Sequence, residues 1–384
     1  MDYDKALAGL SKVEAPAITP SELAGRIDTL RAAMRAGGIA WTWLDATSSL
    51  AYYTGLALKP SERLHGALVG SDGTLLYVTP NFERPKLETM IRLPGEIAVW
   101  EEDADPFALI AGRARGRIAL DPAMAFGFAA RIMAAPELQA VPAGAMIAAQ
   151  RRIKSATEIA IIRTAMEASH RVQKAVHAGL RPGISTREVG DFVNAAHLAL
   201  GLSPVFVAVQ FGEATAYPHG VPYTQTLAEG DMVLVDLGGT FHGYHSDITR
   251  TYVYGRPTAR QRHLWDCERR AQAAAFAAAR PGATCASVDR AARAVLEAEG
   301  FGPGYAVPGL PHRTGHGLGL DIHEEPWIVA GNDTVLAPGM CFSIEPMLCV
   351  YGECGVRLED IVHMTEAGPR WFCPPSGTLD APFG

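Results

Sequence analysis

The second half of this 384-residue sequence presents the same order of features twice. Each copy has an Arg-Pro-Gly stop, a capped helical stretch, a histidine followed by glycine, a glycine-led strand that ends in an acid, and a second acid. The first copy supplies Arg181-Pro182-Gly183, His219, Asp236 and Asp247, and the second supplies Arg280-Pro281-Gly282, His316, Glu345 and Glu359. Chance likeness between helix-turn-strand units is common, but the full order is harder to obtain by chance. Two related halves would bring four carboxylates and at least two histidines onto one face of a shared sheet.

Residues 229–252 predict two short strands joined by a glycine-rich loop. Asp236 and Asp247 each stand where an apolar side chain would cost less, because a buried carboxylate needs a cation or hydrogen-bond donors. A single aspartate could cap a turn or pair with Arg250, whereas two aspartates flanking one hairpin favour a shared cation. His242 and His245, in the loop, are expected to face solvent.

Four clustered carboxylates cannot all stay ionised without cations, because like charges raise one another's pKa. Two divalent ions would neutralise them, and one neutral imidazole could complete the ligand set. This set suits Mn, Co, Fe or Zn better than a metal selected by thiolates. Paired ions about 3.5–4 Å apart can share a hydroxide that attacks an amide at neutral pH.

The first part of the chain alternates between helical and strand-like segments, which indicates an α/β layer. A helix should begin at Thr19-Pro20-Ser21-Glu22. Strands are expected near 39–44, 96–100 and 117–120, a hairpin over 65–79, and helices near 83–93, 106–113 and 123–134. GxGxxG, GxxxxGK[ST] and GxSxG are all absent. The sequence therefore predicts a positioning or dimerisation domain over 1–150 and a second domain over 151–384.

Composition narrows the class of protein. A net charge of -7 disfavours nucleic acid or an acidic membrane as the main partner. The beginning, MDYDKALAGL, does not resemble a signal peptide, and the apolar runs are too short to span a membrane. The six cysteines do not resemble a disulfide scaffold. These features predict a cytoplasmic protein with reduced thiols.

Residues 312–326, HRTGHGLGLDIHEEP, hold three histidines among glycines. An isolated histidine is usually a packed or solvent-facing residue, but three within twelve residues indicate a site. The segment is not the HExxH helix of zinc proteases, because Trp327 stands where the second histidine should be.

Together the motifs VDLGG, SDITRT, HRTGHGLGLDIHEEP, SIEP and GVRLED resemble those of the pita-bread metallopeptidases, which include prolidase, aminopeptidase P and methionine aminopeptidase. The resemblance spans about residues 150–370, and the N-terminal domain favours the prolidase and aminopeptidase P branch. It implies an α+β fold: a C-terminal pita-bread domain, with two pseudo-symmetric halves around a curved, mostly antiparallel sheet, preceded by an α/β creatinase-like domain. The stretch Tyr52-Tyr53-Thr54-Gly55 resembles a strand end of that first domain.

The resemblance also implies roles for individual residues. Two divalent ions, Mn foremost with Co, Fe or Zn as alternatives, would be bound by Asp236, Asp247, His316, Glu345 and Glu359, with Asp247 and Glu359 bridging. His219 and His323 would hydrogen-bond the substrate and the tetrahedral intermediate. Glu345 would also shuttle a proton. His312 would line the pocket for the proline ring. Arg357 would orient a bridging carboxylate or the substrate, or serve only as a structural salt bridge.

The implied activity is that of an Xaa-Pro dipeptidase or aminopeptidase, which is metal-dependent hydrolysis of the bond that precedes proline in dipeptides or short peptides. The implied assembly is a homodimer whose N-terminal domain limits access to the site. Ectoine hydrolase and dimethylsulfoniopropionate lyase remain alternatives on the same scaffold, because Met347 stands where the peptidases usually have glycine. Creatine amidinohydrolase lacks these acids, and a non-catalytic binding module would have lost metal ligands, so both are disfavoured.

Overall fold

The computed structural model describes residues 3–383, which fold into two compact units. One unit comprises residues 18–151, and the other comprises residues 152–383 together with the N-terminal segment 3–17. This segment contains the short helix α1 (Tyr3–Ala8), whose Tyr3 ring stacks on Phe192 with ring centroids 3.9 Å apart. The segment therefore packs with the second unit.

The first unit is a six-stranded mixed sheet with helices. Its strands are β1 (Trp41–Asp45), β2 (Gly66–Gly70), β3 (Leu75–Pro80), β4 (Glu96–Trp100), β5 (Gly116–Leu120) and β6 (Leu138–Pro142), in the order β4-β3-β2-β1-β5-β6. Its helices are α2 (Pro20–Ala36), α3 (Ser48–Thr54), α4 (Arg84–Met90), α5 (Pro106–Arg113), α6 (Phe126–Met133) and α7 (Gly144–Arg151). The core includes Trp43, Leu68, Val78 and Ile118, all buried. The α/β layer expected here is confirmed.

The expected strand end at Tyr52-Tyr53-Thr54-Gly55 is wrong. These residues close helix α3, and Gly55 caps the helix with a left-handed φ of 76°. Thr47 fixes the other end, because its hydroxyl accepts a hydrogen bond from the Ser49 amide. Two caps therefore override the strand preference of tyrosine and threonine.

The second unit pairs long helices with antiparallel strands. Its helices are α8 (Ala156–Gly179), α9 (Thr186–Leu200), α10 (Ala259–Ala278) and α11 (Cys285–Ala298). Its strands are β7 (Ser203–Phe211), β8 (Met232–Phe241), β9 (Tyr244–His245), β10 (Ile248–Val253), β11 (Gly315–Gly317), β12 (Glu324–Ile328), β13 (Cys341–Ile344), β14 (Met347–Val350), β15 (Cys354–Arg357), β16 (Asp360–Thr365) and β17 (Gly368–Trp371). The main sheets run β10-β8-β7 and β12-β11-β13-β16-β17, and β14 pairs with β15. Every pairing among these described strands is antiparallel, as expected for a pita-bread domain.

The repeat in the sequence is also a repeat in structure. One buried glutamine on the first long helix of each half, Gln173 on α8 and Gln272 on α10, donates from Nε2 to two backbone carbonyls. The acceptors lie next to the predicted ligands: Val235 at 2.8 Å and Ile248 at 3.0 Å for Gln173, and Ile344 at 3.4 Å and Leu358 at 2.9 Å for Gln272. Each helix therefore fixes the two acid-bearing segments of its own half.

The two halves meet where β10 lies beside the segment between β15 and β16. The Glu359 amide donates to the Thr249 carbonyl at 3.1 Å, and Arg250 forms a 2.7 Å ion pair with Asp360 in which both side chains are fully buried. Arg250 also donates to the Glu359 carbonyl at 2.9 Å. Arg250 thus pairs with Asp360 and secures the junction of the halves.

Two further features concern membrane-spanning helices and the state of the cysteines. Within residues 3–383, none of the helices combines the length and apolar character needed to cross a bilayer. All six cysteines are unpaired and buried.

Candidate metal centre

The five predicted ligands lie on or beside strands of the second unit. Asp236 lies within β8, and His316 lies within β11. Asp247 immediately precedes β10, Glu345 immediately follows β13, and Glu359 lies between β15 and β16. Three of the four carboxylates, on Asp247, Glu345 and Glu359, therefore flank strands, and Asp236 lies inside one.

His316 lies against two of the acids. Its Nε2 is 3.0 Å from an oxygen of Glu345 and 3.5 Å from an oxygen of Asp247. Its Nδ1 donates to the Gly317 carbonyl at 3.0 Å, which leaves Nε2 directed at the carboxylates. Asp247, His316 and Glu359 each offer one ligand atom within 4.8 Å of the others. The structure therefore brings these four residues into one cluster.

Arg357 connects the remaining acid to this cluster. Its Nη2 lies 2.7 Å from an oxygen of Asp236, and its Nε donates to the Thr249 hydroxyl at 3.0 Å. The same hydroxyl donates to Glu359 at 2.7 Å. Arg357 also donates to the carbonyl of Pro218, the neighbour of His219, at 3.0 Å. One buried guanidinium thus orients ligands from both halves.

The donor set fits a divalent cation. Among residues 3–383, neither Oδ1 of Asp236 nor Oε1 of Glu359 has a hydrogen-bonding partner, although both atoms are buried. Buried carboxylate oxygens without a partner are costly and require an explanation. Oxygen ligands with a single imidazole are typical of sites for Mn²⁺, Co²⁺, Fe²⁺ or Zn²⁺.

The electrostatics indicate a deficit of positive charge. The pKa values of Asp247 and Glu359 are both raised well above the ordinary range of a carboxyl group. Burial is the largest cause, and the charges of neighbouring acids are the next. Burial also raises the pKa of Asp236, although Arg357 opposes it. Burial would raise the pKa of Glu345 as well, but the contact with His316 reverses this and lowers it to about 2. A divalent cation would stabilise the ionised form of all four carboxylates.

Three other predicted histidines surround this cluster. Burial lowers the pKa of His323 to about 4 and also lowers that of His312. The ring of His323 meets that of His316 edge-on, with centroids 4.2 Å apart, and His312 donates from Nδ1 to the Arg313 carbonyl at 2.7 Å. His219 is exposed, and its charge lowers the pKa of both His312 and His323.

Several residues of the centre were missed by sequence reasoning. Thr249 connects Arg357 to Glu359, as described above. Ser343 accepts from the His316 amide and donates to Glu345, both at 2.9 Å. Glu268, fully buried on α10, accepts from the Leu358 amide at 3.3 Å. Thr249 and Ser343 stand inside the SDITRT and SIEP motifs, which could have identified them, whereas no motif marks Glu268.

The two loop histidines differ in their surroundings. His242 is exposed, as expected, in a turn with a φ of 48°. The expectation for His245 is wrong, because it lies in β9 and is partly buried. Its backbone amide and its Nδ1 both donate to the Gly319 carbonyl, at 2.8 Å and 3.1 Å. His245 thus connects the first hairpin to the glycine-rich segment that carries His316.

Met347 departs from the glycine usual in the peptidases, and its side chain is fully buried in β14. Its sulfur lies 3.4 Å from Nη1 of Arg357. Met347 therefore packs against the guanidinium of Arg357.

Comparison with known proteins identifies the family. Residues 160–366 match metallopeptidase family M24, and residues 26–153 match the creatinase/prolidase N-terminal domain. The chain is 39% identical to the probable dipeptidase PepE of Mycobacterium bovis, over 90% of this chain and 92% of that protein. It is 30% identical to the Xaa-Pro dipeptidase of Lactobacillus delbrueckii subsp. lactis, over 92% of this chain and 98% of the relative.

Solved structures agree with these relatives. The dipeptidase PepE of Mycobacterium ulcerans superposes with a TM-score of 0.85 at 34% identity, covering 93% of this chain and 97% of that one. The prolidase of Thermococcus sibiricus gives a TM-score of 0.82 at 30% identity, covering 90% and 95%. The resemblance found in the sequence motifs and the two-domain fold expected from it are both confirmed. This chain belongs to metallopeptidase family M24 and carries a creatinase-type N-terminal domain.

Proposed function

We propose that this metallopeptidase is an Xaa-Pro dipeptidase, which hydrolyses the bond preceding proline in dipeptides and short peptides. The observation that carries the proposal is the buried cluster of four carboxylates and one imidazole, with two carboxylate oxygens unpartnered among residues 3–383. Family membership supports hydrolysis of a peptide. Relatives named Xaa-Pro dipeptidase support the preference for proline.

We further propose that Asp236, Asp247, His316, Glu345 and Glu359 hold two divalent ions, with Mn²⁺ preferred and Co²⁺, Fe²⁺ or Zn²⁺ tolerated. When bound, such ions would lower the pKa of water and neutralise the carboxylates. Glu345 would accept the proton of the attacking water and return it to the leaving proline nitrogen. The hydrogen bond from Ser343 supports this role because it holds one oxygen of Glu345 in place.

The histidines and Arg357 would act on the substrate and its surroundings. The pKa of about 4 keeps His323 neutral at neutral pH, so it would donate one N–H to the oxygen on which charge develops. His219, which is exposed, would share that task. His312 would pack against the proline ring. Arg357 would position Asp236 and, through Thr249, Glu359.

We also propose a homodimer in the cytoplasm, in which the N-terminal domain (residues 1–150) of one subunit limits access to the site in the catalytic domain (151–384) of the other. The resemblance to prolidases supports the dimer and the role of the domain. The six unpaired cysteines support a reducing compartment.

Hydrolysis of Ala-Pro, Ala-Pro-Ala and Ala-Ala tests the proposal, using protein stripped with a chelator and reloaded with Mn²⁺ or Co²⁺. We expect metal-dependent cleavage of Ala-Pro, slower cleavage of Ala-Pro-Ala and none of Ala-Ala. The variant Glu345→Gln should lose activity, and Glu366→Gln, an exposed control, should retain it. Equal cleavage of Ala-Ala would remove the specificity for proline. Metal binding without cleavage of any peptide would point to the small-molecule hydrolases of the same scaffold.

A further inference from the structure

A second group of metal-binding side chains lies on the helical hairpin of α10 and α11, outside the carboxylate cluster. His263 and Cys267 are one turn apart on the same face of α10, and Glu299 directly follows the last residue of α11. One potential ligand atom from each lies within 4.8 Å of the other two. Imidazole, thiolate and carboxylate are the three side-chain ligands that Zn²⁺ binds in proteins.

The spacing fits coordination of one ion. The two ring nitrogens of His263 lie 3.7 Å and 3.8 Å from Sγ of Cys267. Bond lengths of about 2.3 Å to sulfur and 2.0–2.1 Å to nitrogen place two ligands of a tetrahedral ion roughly 3.5 Å apart. His263 is exposed, so a rotation of its ring can direct either nitrogen at the shared position.

Two of these three side chains, Cys267 and Glu299, already contact a cation, the guanidinium of Arg270. The guanidinium of Arg270 lies 3.4 Å from Sγ of Cys267 and 2.9 Å from the carboxylate of Glu299. The side chain of Arg270 is 51% exposed, so it can move into solvent. Exposed ion pairs of this kind are weak. A metal ion could therefore displace this guanidinium without uncovering a buried charge.

We propose that His263, Cys267 and Glu299 form a binding site for one borderline-soft divalent ion of the Zn²⁺ type, with water as the fourth ligand. On binding, the Cys267 thiol releases its proton to solvent, sulfur bonds to the ion, and Arg270 leaves Glu299. The ion would connect the first half of α10 to the end of α11. The inference is independent of the proposed peptidase function, because the carboxylate cluster contains no sulfur ligand.

A titration with Co²⁺ tests the site, because only a sulfur ligand produces the thiolate-to-cobalt charge-transfer absorption. The sample is the metal-free full chain in a non-thiol reductant. We expect the band to reach the intensity of one thiolate-bound Co²⁺ per chain, whatever further Co²⁺ the carboxylate cluster takes up, and to be absent in Cys267→Ser. The control Cys373→Ser, another buried cysteine, should keep the band. Loss of a residue that only contacts a metal ligand lowers metal affinity roughly 10- to 100-fold. Because His263 is itself a proposed ligand, His263→Ala should lower the apparent affinity for Co²⁺ by at least that factor.

The variant Arg270→Ala gives the converse test, because the side chain of Arg270 is 51% exposed and its ion pair lies at the surface. Removal of the competing guanidinium should tighten Co²⁺ binding while the band is retained. Wild-type protein without the band would overturn the proposal. So would a band that survives Cys267→Ser, an affinity unaffected by His263→Ala, or weaker binding in Arg270→Ala.

Discussion

The directions of the hydrogen bonds that Arg357 donates should matter more to the candidate centre than the charge of its side chain. Its guanidinium bonds Asp236 and Thr249 at the same time, while a third contact reaches the Pro218 carbonyl. A planar fork can satisfy such divergent acceptors, whereas an ammonium is a compact point charge. The salt bridge left open by the sequence is present, and it involves a predicted ligand.

The first prediction concerns Arg357→Lys. The positive charge is retained but the bond to Thr249 is lost, so kcat/KM for Ala-Pro and the affinity for Mn²⁺ should each fall about 10- to 100-fold. Arg260→Lys is the control, because Arg260 is about half exposed and pairs with Glu353 on the surface. Steady-state kinetics and calorimetric titration of Mn²⁺ measure both effects. Wild-type values in Arg357→Lys would contradict the positioning role.

Glu268 is a buried acid whose ionisation should depend on pH. Burial raises its pKa well above the ordinary value of 4.5, and within residues 3–383 its Oε2 has no hydrogen-bonding partner. Below pH 4.5 the side chain is protonated in both the folded and unfolded states. As the pH rises from 4.5 through the folded pKa, the carboxyl group ionises more readily in the unfolded state than in the folded state. The contribution of the protonated side chain to the free energy of unfolding is therefore lost over this range.

The second prediction is therefore that Glu268→Gln stabilises the protein near neutrality and has little effect below pH 4.5. Each unit by which the folded pKa is raised corresponds to about 1.36 kcal/mol of this difference. Urea unfolding of the variant, the wild type and the surface control Glu366→Gln at both pH values measures it. A variant that is less stable than wild type at neutral pH would show that the glutamate ionises at little cost.

At the scale of secondary structure, the paired glutamines Gln173 and Gln272 connect helices to the acid-bearing strands. The third prediction is that Gln272→Ala costs about 1–3 kcal/mol of unfolding free energy, because it leaves two buried carbonyls without this donor. Gln173→Ala should lower the free energy of unfolding by a similar amount, because Gln173 stands in the corresponding position of the other half. Gln139→Ala, at an exposed position of β6, serves as the control in urea unfolding. Equal stabilities in all three variants would refute the helix-to-strand role.

The first residue of β12, Glu324, forms a buried ion pair with Lys154 and directly follows His323. Their N–O distance is 2.7 Å, with side chains 0% and 10% exposed. The neighbouring pair of Arg152 and Glu325, at 3.6 Å, is more exposed and offers a matched comparison.

The fourth prediction follows from that comparison. Lys154→Met should cost about 3–5 kcal/mol, because it removes one partner of a buried ion pair. It should also lower kcat through displacement of His323. Arg152→Met should cost at most about 1 kcal/mol. The double variant Lys154→Met/Glu324→Gln should recover part of the loss in thermal unfolding and kinetics. If Lys154→Met and Arg152→Met cost the same, burial does not determine the strength of this pair.

The sequence predicted most elements because caps and apolar runs are local signals. Helix α8 begins after Ser155, whose capping box with Glu158 is present in the structure, and α9 begins after Ser185 for the same reason. The failures at α3 and β9 have two different origins. At α3 the local caps Thr47 and Gly55 compete with tyrosines that favour strands, and the caps prevail. At β9, His245 hydrogen-bonds the carbonyl of Gly319, which is far away in sequence, and such a tertiary contact leaves no local pattern.

At the scale of the whole molecule, the internal repeat accounts for the candidate centre. Two halves with equivalent helices and strands present their acids at one junction, which the Arg250–Asp360 pair fixes. The four carboxylates could be inferred from the order of motifs, whereas the choice of His316 as the imidazole ligand came from the family resemblance. The supporting residues Thr249, Ser343 and Glu268 could not be assigned roles, because their partners lie on other strands or on the other half of the repeat. The preference for Mn²⁺, the dimer and the access role of residues 1–150 stay predictions.

The fifth prediction is that five side chains of the second unit bind two divalent ions. Anomalous scattering from crystals grown with Mn²⁺, recorded at the manganese edge, locates such ions directly. The expected result is two peaks about 3.5–4 Å apart, bordered by Asp236, Asp247, His316, Glu345 and Glu359. A single peak, or peaks bordered by other residues, would contradict the account.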